Sequence, residues 1–295
     1  MALDADLLQK PFLKLRKALK RFPKLPSPDE VHRLRTQTRR LEATLHALML
    51  DQKRDGSRLL EALAPVRKAA GKVRDMDVLV GFASSLTTNF EDECLVQLLE
   101  HLGNRRVKAA AELHRIIAGQ KNEARHRLTQ YSEFIEGEIE TARPGISNTS
   151  QTSADAMAVS LQLEMELAAW PKLNAGNIHP FRLKVKELRY ILQLARDSDL
   201  DFIETLGEVK DRIGEWHDWS ELALIADDII DRGPASKLNK WIRGRVKDEF
   251  KKALAIANRM RRQYLGDAIG RRREERRPPI RLKDSVVRAT LRLAG

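Results

Sequence analysis

Two short cationic stripes, each headed by a histidine, are the residues in this chain best suited to chemistry. His32, Arg35 and Arg39 stand at the same offsets as His179, Arg182 and Lys186, and Leu41 and Leu45 recur as Leu188 and Leu192. On a helix turning ~100° per residue, offsets 0, +3, +7 and +10 fall within about 80° of one another. His179, Arg182, Lys186 and Arg189 are therefore expected on one face over roughly 15 Å. Phe181, Val185, Leu188 and Leu192 occupy the adjoining face, so the stripe borders a core. In the first copy Arg40 adds to the run, and Glu42 takes the fourth place. Guanidinium, ammonium and imidazole donors in a row suit an anion with several phosphate groups. Pairing with Asp75, Asp77 or Asp218 on neighbouring helices is the plainer use of such a row. Two facing stripes would repel unless an anion lay between them, and that favours a binding site.

A second block follows each stripe. Val66, Gly71, Asp75 and Leu79 correspond to Val209, Gly214, Asp218 and Leu222, and the His-to-Gly interval is 39 residues in one copy and 35 in the other. Duplicated helical bundles produce such near-equality, with a loop absorbing the difference. His217-Asp218, with His179 and Asp227-Asp228, offers a different chemistry, a divalent metal activating water in a phosphohydrolase. The repeat argues against it, because Arg74-Asp75 stands at the equivalent place. Trp216 and Trp219, which flank His217-Asp218, read as core anchors. Cys94 is the single cysteine and reads as a small buried hydrophobe.

The elements that must position these residues are helices. Leu, Ala, Glu, Lys and Arg dominate, and alternating β-branched runs are few, so the expected class is all-α. The turn Phe22 to Pro28 precedes a helix that Ser27 or Asp29 could cap. Arg143 to Ser150 is the best central linker, Pro171 to Pro180 forms another loop, and Gly233-Pro234 and Pro278-Pro279 end later helices. Pro65 predicts a kink or a helix start. In the first helix Phe12, Leu15, Leu19 and Phe22 form a core face. Lys10, Lys14, Lys17 and Arg21 form a parallel basic stripe, most simply a solvated one. With Lys72 they are secondary candidates for anion binding. The expected divisions are 1–147 and 148–270 for the two repeats and 271–295 for a basic tail.

The 295 residues carry 54 Lys and Arg against 42 Asp and Glu, a formal net charge of +12. The excess is patchy: +6 over residues 1–147, zero over 148–270 and +6 over 271–295. Patches suggest an anionic partner more than uniform basicity does. The longest uncharged apolar stretch, Val78 to Phe90, is too short to cross a bilayer. Asp4 and Asp6 stand where a signal peptide needs apolar residues, so a cytoplasmic protein is expected.

The ordered blocks resemble the conserved histidine α-helical domain family, CHAD. The resemblance rests on His32-Arg33-Leu34-Arg35 with Arg39-Arg40-Leu41, on Val73 to Val78, on His179 with Lys186 to Tyr190, and on Ile213-Gly214 with His217-Asp218. It covers about residues 1–265. Glu42 and Gln193 depart from the family pattern, which usually has Arg and Glu there. The resemblance implies two pseudo-symmetric helical bundles around a basic central groove or channel. It also implies non-catalytic binding of inorganic polyphosphate, or another phosphate-rich polyanion, and in some relatives placement on polyphosphate granules. His32, Arg35, Arg39, Arg40, His179, Arg182, Lys186 and Arg189 are the expected binding residues. No cofactor and no membrane are implied. Nucleic-acid backbone binding, through the first helix and Arg271 to Arg277, is the alternative, although aromatic stacking platforms are lacking.

Overall fold

A computed structural model describes residues 5–47, 50–87, 93–140, 148–194, 198–230 and 236–266. Of the expected linker Arg143 to Ser150, residues 143–147 lie outside them, as do Gly233-Pro234 and the basic tail 271–295; residues 148–150 are instead the first turn of a helix, and the expected Pro171 to Pro180 loop gives way to helix at Ile178. The described elements are all helical: α1 (Ala5–Lys20), α2 (Pro28–Ala47), α3 (Arg54–Ser85), α4 (Glu93–Glu140), α5 (Asn148–Ala168), α6 (Ile178–Leu192), α7 (Leu200–Ile229) and α8 (Lys237–Tyr264).

Local sequence explains where several of these begin. Before α2, Ser27 Oγ accepts from the Glu30 amide at 3.3 Å while Glu30 accepts from the Ser27 amide at 2.8 Å. That reciprocal pair is a capping box, so Ser27 and not Asp29 closes the helix. Asp199 caps α7 by accepting from the Phe202 amide, and Ser236 caps α8 through the Asn239 amide. Pro65 lies well inside α3, a helix that already starts at Arg54.

Two apolar clusters hold the helices together. The larger joins Phe12, Leu15 and Leu19 of α1 to Leu34 and Leu41 of α2, Phe181, Val185 and Leu188 of α6, and Leu206 and Ile213 of α7. All are essentially buried, as the spacing on α1 and α6 predicts. Each such side chain contributes about 1.5–3 kcal/mol by leaving water. The smaller cluster centres on Trp219, stacked on Phe82 with ring centroids 4.5 Å apart. Cys94 packs against its edge. Trp216 is only half-buried and sits against Phe250.

The pairing of helices decides which side chains meet. Helix α2 meets α6, and α3 meets α7, so the two halves of the chain touch through the helices that carry the repeated blocks. His46 ties them, with one ring nitrogen 2.9 Å from Asp51 and the other 2.8 Å from Glu187.

Candidate functional site

Between α2, α3 and α4 on one side and α6 and α7 on the other lies a cavity of about 1170 Å³. The α2 stripe contributes His32, Arg35 and Arg39, and the α6 stripe contributes His179, Arg182 and Lys186. The helical period is the reason: each stripe borders the buried face of its helix, and α2 packs on α6 through those faces. Lys72 also lines this cavity.

Other expected residues lie elsewhere. Arg189 does not reach the cavity. Its Nε donates to the Ile203 carbonyl at 3.2 Å, and its guanidinium lies along the bare backbone of Gly207. Arg40, Lys10 and Lys14 line a separate cavity of about 280 Å³. Lys17 and Arg21 line neither, consistent with a solvated face.

Spacing along the stripes gives no hint of the cations supplied by other helices. Arg74 comes from α3, Arg105 and Lys108 from α4, and Lys210 from α7. Nine Lys and Arg side chains line the cavity against six Asp and Glu, so its wall is net positive. Several are neutralised in place: Lys72 pairs with Glu112 at 3.5 Å, Arg35 with Asp75 at 3.7 Å, Arg39 with Glu42 at 3.2 Å and Lys210 with Asp211 at 2.7 Å. Arg74, Arg105, Lys108, Arg182 and Lys186 have no carboxylate partner within 4.0 Å among the described residues.

Arg182 shows how a cation is held there without a counterion. Its Nε donates to the Lys210 carbonyl at 2.8 Å, four residues before Gly214. A Cβ at Gly214 would stand 2.7 Å from Arg182 Nη2, so only glycine admits this approach. A helix carbonyl has a second lone pair to offer, and a hydrogen bond from a charged donor is worth about 1.5–3 kcal/mol. Arg189 repeats the arrangement two turns along, against Gly207 and the carbonyl four residues before it. In the first half Gly71 faces Arg35 more loosely, with Nε 3.9 Å from the Cβ position.

Crowding of like charge marks the electrostatics. Burial, then Arg39, Arg35, Arg182 and Lys210, push Lys186 from its ordinary value down to about 7. Its ammonium also lies 5.8 Å from the Tyr190 ring centroid. Burial, with Arg74 and Arg35, lowers His32. Burial, with His217 and Arg182, lowers His179, whose ring centroid is 4.7 Å from that of His217. Asp75 and Asp218 sit within the cavity walls, and desolvation raises both against the opposing pull of Arg35 and Arg182. Burial and like charge together thus disfavour the charged forms of Lys186, His32 and His179.

The His217 ring lies against His179, and the Arg182 charge opposes the upward push of burial on the Asp218 carboxyl. Among the described residues no group of three or more His, Cys, Asp or Glu side chains is placed to hold a metal ion. Nor is any described helix long and apolar enough to cross a membrane.

Similarity to known proteins bears on the fold and family. The crystal structure of the CHAD domain from the plant Ricinus communis superposes with a TM-score of 0.64 at 14% identity, covering 88% of this chain and 90% of that one. PptA from Streptomyces chartreusis superposes with a TM-score of 0.56 at 17% identity, covering 88% and 96%. Comparison with curated protein sequences returns no match. The CHAD domain family model matches residues 7–227, a span holding both stripes and both glycine blocks, and the chain belongs to the CHAD family.

Proposed function

We propose that the large cavity binds inorganic polyphosphate without chemically altering it. The observation that carries this reading is the set of five cations, Arg74, Arg105, Lys108, Arg182 and Lys186, that line one cavity with no carboxylate partner among the described residues. Desolvated like charges brought together are unfavourable unless an anion neutralises them. Polyphosphate carries about one negative charge per phosphate and no bases, so successive phosphates can meet successive donors. Arg182, already held through Nε, keeps its terminal nitrogens for bidentate contact. His32 and His179 donate one hydrogen bond each when neutral and add attraction when protonated. Association with polyphosphate granules belongs to the same reading.

Titration of long-chain polyphosphate into the protein at low and moderate salt tests it. Affinity should fall with salt through counterion release, by analogy with other polyanions. The double reversal R182E/K186E should weaken binding about a hundredfold or more, since each charged hydrogen bond to phosphate is worth ~1.5–3 kcal/mol. Reversal of Arg271, Arg272 and Arg273 should weaken it less than about tenfold, as expected for screened long-range attraction. Equal losses, or single-stranded DNA displacing polyphosphate at equal phosphate concentration, would refute a dedicated site.

A further inference from the structure

The small cavity lies where α1, α2 and α6 meet. Lys10 and Lys14, both exposed, line it from successive turns of α1, and Arg40, half-buried, lines it from α2. None of its described lining residues is acidic, in contrast to the large cavity. Lys10, Lys14 and Arg40 make no ion pair among the described residues, and Arg40 Nε is buried with no acceptor. Buried Gln37 and Thr44 add neutral hydrogen-bonding groups. A volume of about 280 Å³ is slightly below the ~300–1,000 Å³ of drug-sized ligand pockets, so the occupant is a small anion. Tyr190 lines both cavities and stands between Arg40 on one side and Lys186 on the other.

We propose that this cavity is a second anion site, taking one or two phosphate groups on Lys10, Lys14 and Arg40, separated from the large cavity by Tyr190. Three cations with no counter-carboxylate among the described residues give the attraction. The neutral donors give orientation, and the small volume limits length. The phosphates come either from a free short anion or from the end of a chain whose body lies in the large cavity. The site stands on its own residues and not on the polyphosphate reading.

Calorimetric titration of the full chain with pyrophosphate and with long-chain polyphosphate tests this. In an R182E/K186E background the large cavity is disabled, and pyrophosphate reports the small one. K10E/K14E added there should reduce pyrophosphate affinity at least tenfold, while K20E/K24E, which reverses two exposed lysines of neither cavity, should leave it within threefold. R40Q should follow K10E/K14E, and circular dichroism should show all variants equally helical. In an otherwise wild-type chain, a tenfold loss of long-chain binding on K10E/K14E assigns the site to chain ends, and a loss under threefold assigns it to free short anions. The proposal is overturned if K10E/K14E and R40Q match K20E/K24E with both anions. Long-chain binding absent from the wild type, with pyrophosphate still lost on K10E/K14E, would sink the polyphosphate reading and leave this site standing.

Discussion

Lys186 should make binding draw a proton from solution. In the unfilled cavity its pKa is about 7, held down by burial and by Arg39, Arg35, Arg182 and Lys210. A bound phosphate chain supplies the missing negative charge, and an ammonium so paired returns towards the ordinary lysine value of about 10.4. The free-state pKa is then the lower one, so affinity is flat below it and falls as pH rises between the two values. Linkage over a shift of this size gives roughly a fiftyfold loss of affinity from about pH 7 to pH 9. The lowered His32 and His179 add a trend of the same sign that begins below that range. Calorimetry at pH 8 in buffers of differing ionisation enthalpy should register uptake of close to one proton per bound chain. Lys186→Arg keeps the charge and does not titrate, so it should remove most of that uptake and bind more tightly than the wild type at pH 9. Lys186→Met should bind weakly at every pH yet melt higher without ligand, by ~2–4 °C for each kcal/mol of relieved burial. Equal proton uptake by the wild type and Lys186→Arg would refute the reasoning.

The glycines separate packing from binding. Gly71→Ala has ordinary contact with Arg35 and should gain the ~1 kcal/mol helix preference of alanine, whereas Gly214→Ala displaces the Arg182 guanidinium; thermal melts and polyphosphate titrations should show the first more stable with unchanged affinity and the second at least tenfold weaker in binding. Asp75→Asn and Asp218→Asn remove carboxylates that face the incoming anion, and each should tighten binding three- to tenfold at low salt, about 1 kcal/mol of relieved repulsion; unchanged affinity would place the chain elsewhere. The hydrogen bond to Glu187, assisted by Asp51, raises His46 to about 9, so its contribution is complete below the unfolded value of about 6.5 and disappears as pH rises through 9. Because the ring is half exposed, His46→Gln should lose only about 1 kcal/mol at pH 6, read as a lower melting temperature, and match the wild type by pH 10.

Helical period makes the inner lining of the candidate cavity legible from the chain alone. His32, Arg35, Arg39, His179, Arg182 and Lys186 share a cavity because each stripe borders a core face whose apolar spacing is plain in the sequence. Arg105, Lys108 and Lys210 could not be found that way, since their place depends on how α4 and α7 lie against the stripes. Arg189 shows the limit most clearly. Its angle on α6 matches the stripe, yet Gly207 offers it a backbone socket and it leaves the cavity. A signal for this does exist in the sequence: Arg182 and Arg189 are seven residues apart on α6, and Gly214 and Gly207 are seven apart on antiparallel α7. That register also answers a physical difficulty of any polyanion site. A buried arginine needs an acceptor, but a carboxylate acceptor would compete with the ligand and repel it. A helix carbonyl reached across a glycine satisfies Nε and carries no net charge. Arg182 is held in that way, with its positive charge left for the anion proposed above.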